Sequence, residues 1–127
     1  MSRILVADDE PFILRSLSFA LHREGHEVCT ARNGTEAHTA LANTAFDLAF
    51  IDVVMPGLNG FEVVERLRTE QGCLRTHVVF LTAKGTDEDH NRGLALGASA
   101  YLNKPFSPAA LGRLVSEVLA GPPPGAR

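Results

Sequence analysis

Five polar side chains stand just after short apolar segments of the sequence, and their types suit the binding of a metal ion and a phosphoryl group. Asp8 and Asp9 follow the first such segment, and Asp52 follows a second. Thr82 ends a third, and Lys104 comes shortly after a fourth. Mg²⁺ binds carboxylate and phosphoryl oxygens, and a lysine can neutralise phosphoryl charge. If the four segments are parallel strands, their ends open on one edge of a sheet and the five side chains share a crevice.

These segments belong to a regular alternation of apolar runs and helical patterns along the chain. Strands are predicted at about 3–7, 26–30, 47–52, 77–82 and 100–102. Helices are predicted after Pro11, over 35–43, after Asn59-Gly60, over 86–96 and after Ser107-Pro108. The fourth helix has the weakest pattern, because Gly93 lies inside it and glycine is a poor helix former.

Five strand–helix units predict an α/β fold. We expect a single doubly wound (βα)5 domain with a parallel five-stranded sheet and right-handed crossovers. For the strand order 2-1-3-4-5, ligands bind beyond the carboxyl ends of strands one and three, where the order reverses. Those are the strands that end at the three aspartates.

The bulk properties are those of one globular domain. The 127 residues suffice for a domain at 1–120, and the proline- and glycine-rich segment 121–127 is predicted to be a tail or the start of a linker. A net charge of −3 gives no basic field to hold nucleic acid. Cys29 and Cys73 form no CxxC pair, and we find no membrane span or signal peptide. The sequence therefore predicts a cytoplasmic protein with reduced thiols.

The three aspartates admit two interpretations. Two unit charges about 4 Å apart near a protein surface repel by about 4 kcal/mol, so a purely structural cluster is unfavourable. The segment Asp8-Asp9-Glu10-Pro11 could instead be only the acidic N-terminal turn of a helix, where the dipole favours acids. That interpretation does not account for Asp52, which precedes a loop. A hard cation would neutralise all three, held by Asp9, Asp52 and a backbone carbonyl near Val54, with Asp8 acting through water.

Thr82 and Lys104 also have ordinary interpretations when each is taken alone. A β-branched residue often ends a strand, and a single lysine is usually a solvated surface charge. Their occurrence together with the aspartates, at consecutive strand ends, favours a shared site.

The ordered set of motifs resembles the receiver domain of bacterial two-component response regulators. The resemblance covers about residues 2–120. It rests on Asp8-Asp9, on Asp52 in the segment DVVMPGLNG, on Thr82-Ala83, and on YLNKPF with its Lys104-Pro105. Each motif alone is weak, whereas the set at these spacings is specific.

The resemblance implies a flavodoxin-like fold and a role for each site residue. Asp52 would be the phosphoacceptor. Asp9, Asp52 and the Val54 carbonyl would bind Mg²⁺, and Asp8 would hold a metal-bound water. Lys104 would pair with Asp52 and then with the phosphoryl group.

The resemblance also implies a switch. Thr82 would donate its hydroxyl to a phosphoryl oxygen, Tyr101 would turn inward as Thr82 moves, and the face of helix four, strand five and helix five would change. The Lys104–Pro105 bond would be cis, which proline permits. The phosphoryl donor would be a sensor histidine kinase or a phosphotransfer protein. The sequence does not identify the output domain or target, and such a domain is not a conventional enzyme, since it catalyses only its own phosphorylation and dephosphorylation.

Two other functions are less consistent with the residues. A haloacid-dehalogenase phosphatase needs a second aspartate two residues after the first, where this chain has Val54. A flavin carrier needs a Ser/Thr/Gly-rich phosphate loop after strand one, where this chain is acidic. A receiver that works without phosphorylation stays possible from sequence, although all five site residues are present.

The resemblance also bears on how long a phosphoryl group would last. Receiver domains often have a polar side chain two residues after the phosphoacceptor, which can orient an attacking water. Val54 stands at that position and cannot orient water, so we expect slow self-dephosphorylation.

Overall fold

The computed structural model describes residues 2–72, 74–83 and 87–122. Predictions about Cys73, the Thr86 helix start and the end of the tail lie outside these residues. The strands are β1 (Arg3–Ala7), β2 (Glu27–Ala31), β3 (Leu48–Asp52), β4 (His77–Thr82) and β5 (Ala100–Asn103). The helices are α1 (Pro11–Arg23), α2 (Gly34–Asn43), α3 (Gly60–Gln71), α4 (Asp87–Ala95) and α5 (Pro108–Ala120).

The five strands form one parallel sheet in the order β2-β1-β3-β4-β5, which confirms the predicted α/β topology. Its register places the strand ends side by side. Ala7 pairs with Ile51, so the residues that follow, Asp8 and Asp52, leave adjacent strands at the same level. Thr82 pairs with Asn103, so Lys104 begins one step beyond the end of β4.

The core lies on both faces of the central strands, as continuous apolar runs predict. Every residue of β3 and β4 is buried, and only Arg3 of β1 is exposed. One face packs against α1 and α5, and the other packs against α2 and α3. Because both faces are covered, the polar residues of this sheet emerge at its edges, where a site can form.

The helix ends are set by local capping. The observed ends of α2 and α4 differ by one residue from the predicted ones. The α2 helix begins at Gly34 because the Asn33 side chain accepts from the Glu36 N–H at 2.8 Å. At α3, Asn59 and Glu62 form a reciprocal capping box. The α4 helix ends at Ala95, and Gly97 at φ 84° closes it. In the described part of the chain, no helix has the length and apolar character needed to cross a membrane.

Candidate functional site

The loops after β1, β3, β4 and β5 enclose a cleft of about 470 Å³ at the carboxyl edge of the sheet. Four predicted site residues line it together, namely Asp9, Asp52, Thr82 and Lys104. Val54 also lines it, with its side chain 76% exposed. The remaining lining residues are Glu10, Val53, Ala83 and Asp89.

Lys104 supplies a positive charge to this cleft, and three carboxylates surround its ammonium. Its Nζ lies 2.8 Å from Asp8 Oδ2, 2.9 Å from Asp52 Oδ2 and 3.4 Å from Glu10 Oε1. The side chain is 11% exposed. Burial alone would lower the pKa of Lys104, but its hydrogen bonds to Asp8 and Asp52 raise that pKa above its ordinary value. The ammonium therefore stays charged between the two buried acids.

The backbone around Lys104 fixes where the ammonium points. Its N–H donates to the Thr82 carbonyl at 2.8 Å, which ties the end of β5 to the end of β4. The following Lys104–Pro105 peptide bond is cis, as the resemblance implied.

Asp52 ends β3, and its side chain is 7% exposed. Oδ1 accepts from the Val54 N–H at 3.1 Å, and Oδ2 faces Lys104. Burial raises the pKa of Asp52 to about 6; the charge of Asp8 acts in the same direction, while Lys104 and the Val54 N–H oppose it. The backbone of Asp52 is close to the first residue of α3, because a Cβ on Gly60 would come 2.5 Å from the Asp52 carbonyl oxygen. The carboxylate is thus held by one contact to each of its oxygens, and the Asp52 backbone is packed against the start of α3.

Asp8 is fully buried and does not behave as a helix-turn acid. Its Oδ1 accepts from the Glu10 N–H at 2.9 Å, and Oδ2 pairs with Lys104. The α1 helix has no acidic residue in its first turn, and the side chain of its N-cap, Glu10, makes no capping hydrogen bond. The acidic-turn interpretation therefore does not describe Asp8.

The carboxylates in this cleft could hold a hard cation. Oxygens of Asp8, Glu10 and Asp52 lie within 4.8 Å of one another, a spacing suited to ligands of one ion. Asp9 lines the same cleft but is exposed and is not in that group. The sequence predicts Glu10 only as part of an acidic helix turn. The run of three successive acids was the one signal that could have identified it.

Tyr101 lies outside the cleft and packs against α4. Its ring stacks on His90, with centroids 4.4 Å apart and planes inclined by 19°, and lies 5.7 Å from the Phe80 ring. Its hydroxyl donates to the Asp89 carbonyl. Burial raises the pKa of Tyr101; Asp89 adds to this and the Gly93 backbone opposes it. Tyr101 therefore contacts the helix whose Asp89 lines the cleft.

The α4 helix is also attached to α3. Arg92 Nη2 lies 2.6 Å from Glu65 Oε1, and its guanidinium lies 4.8 Å from the centre of the Phe61 ring. Arg68 donates to the Leu96 carbonyl just beyond the end of α4. These contacts hold α4 against α3 although its own sequence is a weak helix former.

Comparison with known proteins identifies the family and several relatives of this chain. A family model described as "Response regulator receiver domain" matches residues 4–116. The response regulator GtcR of Aneurinibacillus migulanus is 41% identical over 105 residues, which are 83% of this chain and 42% of that protein. The chain spans about half the length of GtcR and of several other curated relatives that it matches.

Solved structures agree with the fold. The chemotaxis protein CheY4 of Vibrio cholerae superimposes with a TM-score of 0.86 at 35% identity, covering 93% of this chain and 98% of that one. The response regulator TrrA of Thermotoga maritima, solved in complex with Mg²⁺ and BeF, gives 0.81 at 35% identity, covering 93% and 99%.

Proposed function

We propose that this chain, which belongs to the response regulator receiver domain family, is a phosphorylation-dependent signalling switch. Asp52 would accept a phosphoryl group from the histidine of a sensor kinase or a phosphotransfer protein. The observation that carries the proposal is the placement of Lys104 between Asp8 and Asp52 in an open cleft. A buried carboxylate with a lysine beside it has both the nucleophile and the charge that phosphoryl transfer requires.

The transfer step follows from the contacts of Asp52. The Val54 N–H and Lys104 hold one carboxylate oxygen each, so the group needs little reorientation to meet an incoming phosphorus atom. A carboxylate oxygen forms the new O–P bond while the N–P bond of the donor phosphohistidine breaks. The imidazole retains that electron pair and takes up a proton. Lys104 then attracts the phosphoryl oxygens beside Asp52.

The acidic set fits a bound Mg²⁺. Asp9, Asp52 and the Val54 carbonyl would hold the ion directly, and Asp8 would act through water. Glu10 is near enough to Asp8 and Asp52 to contribute. When bound, the ion would neutralise charge on the phosphoryl oxygens. The fit rests on hard oxygen donors, which are the ligands that Mg²⁺ prefers.

The response would pass from Thr82 to the face formed by α4, β5 and α5. Reversing a two-state population from 1:99 to 99:1 takes about 5.5 kcal/mol. Each hydrogen bond to a charged group contributes about 1.5–3 kcal/mol. New bonds from Thr82, Lys104 and the Ala83 N–H to a phosphoryl group are therefore sufficient. Tyr101 would change position as Thr82 moves, and the altered face would control a partner or output domain.

The proposal limits the chemistry to the chain's own modification. The domain would catalyse its own phosphorylation and dephosphorylation and turn over no other substrate. We place this activity in residues 1–120, with 121–127 as a tail or the start of a linker. Because the chain spans about half of relatives such as GtcR, the identity of any output stays open to experiment.

The test is incubation with Mg²⁺ and acetyl phosphate, followed by intact-protein mass spectrometry. We expect one added phosphoryl group on the wild-type protein and none on Asp52→Asn. Asp47→Asn is the matched control, because Asp47 precedes the same strand at its opposite end and is exposed. Addition to Asp52→Asn at the wild-type level would overturn the assignment.

A further inference from the structure

Three residues of α4 form a close-fitting seat for Tyr101. We define the seat as the Asp89 carbonyl, the His90 ring and the backbone of Gly93. The Tyr101 hydroxyl donates to the carbonyl, and the two rings stack at 4.4 Å. Within the described residues His90 Nε2 is buried and has no hydrogen-bond partner, and the His90 ring stacks on Tyr101.

Gly93 is the part of the seat that tolerates no side chain. A Cβ at this position would overlap the Tyr101 hydroxyl oxygen and lie 2.5 Å from Cζ and 2.8 Å from Cε2. Gly112, a glycine inside α5, provides the contrast, because a Cβ there meets only Glu24 Oε1, at 3.7 Å. Alanine is the better helix former at both positions, but of the two only position 93 has a tyrosine ring in the space that a Cβ would occupy.

The seat has contacts with both the cleft and the sheet. Asp89 supplies its carbonyl to Tyr101 and also lines the phosphorylation cleft. Tyr101 pairs in register with Phe80, two residues before Thr82 on β4. One ring therefore contacts α4 and also packs against the strand that ends at the switch threonine.

We infer that Gly93 is a positioning residue of the switch: its seat holds Tyr101 against α4 in the ligand-free protein, and Tyr101 leaves the seat when Asp52 is phosphorylated. The inference rests on the proposed function. A side chain at position 93 would empty the seat in advance and shift the ligand-free protein toward the phosphorylated arrangement.

The first test uses the only tyrosine of a chain that has no tryptophan. At wavelengths beyond the phenylalanine bands, intrinsic fluorescence and near-ultraviolet circular dichroism report on Tyr101 alone. We expect Gly93→Ala to change both signals in the ligand-free protein. Gly112→Ala should leave them as in the wild type. Unchanged Tyr101 signals in Gly93→Ala would show that no seat is occupied and would overturn the inference.

The second test measures coupling to the site by calorimetric titration with Mg²⁺ and beryllofluoride, a phosphoryl mimic. We expect Gly93→Ala to bind the mimic about threefold more tightly or better, because the cost of emptying the seat is removed. In a Tyr101→Ala background, Gly93→Ala should have no effect on the affinity for beryllofluoride. This double variant also removes the overlap between the new Cβ and the Tyr101 ring, and with it any misfolding that the overlap causes. Equal or weaker binding by Gly93→Ala would overturn the inference.

The two tests separate this inference from the proposed function. If wild-type protein takes up neither acetyl phosphate nor beryllofluoride, the proposed function fails and the coupling of the seat fails with it. If wild-type protein takes up both and Gly93→Ala binds the mimic like the wild type, only the inference fails.

Discussion

The ammonium of Lys104 lies 2.9 Å from the Asp52 carboxylate, while the backbone N–H of the same lysine donates to the carbonyl of Thr82. The residue therefore connects the ends of three strands, β3, β4 and β5. A phosphoryl group on Asp52 would meet a cation whose position is already set by the sheet. This preorganisation is the feature from which most of the testable consequences follow.

Removing the cation should destabilise the protein most at neutral pH. Lys104→Ala leaves Asp8 and Asp52 buried without a counter-charge, and we expect the free energy of unfolding to fall by about 1–3 kcal/mol at pH 7.5. The loss should shrink at pH 5, where Asp52 takes up a proton. Urea denaturation at the two pH values measures this. The control is Arg3→Ala, which breaks an exposed ion pair with Glu27 and should lower the free energy of unfolding by less than about 1 kcal/mol. An equal loss of stability in the two variants would contradict the role of Lys104.

The raised pKa of Asp52 gives stability a defined pH dependence. The folded protein holds a proton on Asp52 up to about pH 6, whereas the ordinary value is 3.8. Between these values the folded state binds more protons than the unfolded state. Stability contributed by Asp52 is therefore present at low pH and lost as pH rises through this window, by up to about 1.4 kcal/mol per pH unit.

Asp52→Asn removes this dependence. In chelator-treated protein, the free energy of unfolding of Asp52→Asn minus that of wild type should increase from pH 4 to pH 6 and level off above pH 7. Chemical denaturation across that range provides the values. A constant or falling difference would show that the metal-free carboxylate has no raised pKa.

Metal affinity should distinguish the two acids that follow the buried Asp8 in the sequence. We predict that Asp9→Asn weakens Mg²⁺ binding by about tenfold or more and that Glu10→Gln has a smaller effect. Calorimetric titration with Mg²⁺ at pH 7.5 compares the variants. The reverse order would assign the direct ligand to Glu10, in line with its grouping with Asp8 and Asp52, and would reject the proposed role of Asp9.

Val54 should make the phosphorylated state long-lived. Its exposed isopropyl group lines the cleft and cannot hydrogen-bond an attacking water. Val54→Asn introduces an amide that can hydrogen-bond the water, and we expect loss of the phosphoryl group to accelerate by about tenfold. Phosphoryl decay after removal of acetyl phosphate measures the rate, with Val54→Leu as an apolar control. A wild-type lifetime of only seconds would refute slow dephosphorylation.

The sequence predicted the sheet and most of the site because both depend on strand ends. Continuous apolar runs specify buried parallel strands, and Asp52 and Thr82 end such runs, so topology alone brings them to one edge. Lys104 follows β5 by the same logic. The positions of these three residues can therefore be predicted without knowing how side chains pack.

The remaining features depend on contacts between distant segments, which no local pattern encodes. Glu10 approaches Lys104 only once β1 and β5 are in one sheet. The ring of His90 meets Tyr101 only after α4 has docked. Gly93 looked like a flaw in a weak helix, whereas the folded chain uses its missing side chain to admit the tyrosine.

The central claim is that Asp52, and no other acid of the cleft, accepts the phosphoryl group. Borohydride reduces an acyl phosphate to the alcohol, so reduction of acetyl phosphate-treated protein followed by peptide mass spectrometry marks the modified residue. The account predicts homoserine at position 52, dependent on Mg²⁺. Reduction product at Asp8, Asp9 or Glu10 instead, or none anywhere in protein that binds Mg²⁺, would contradict it.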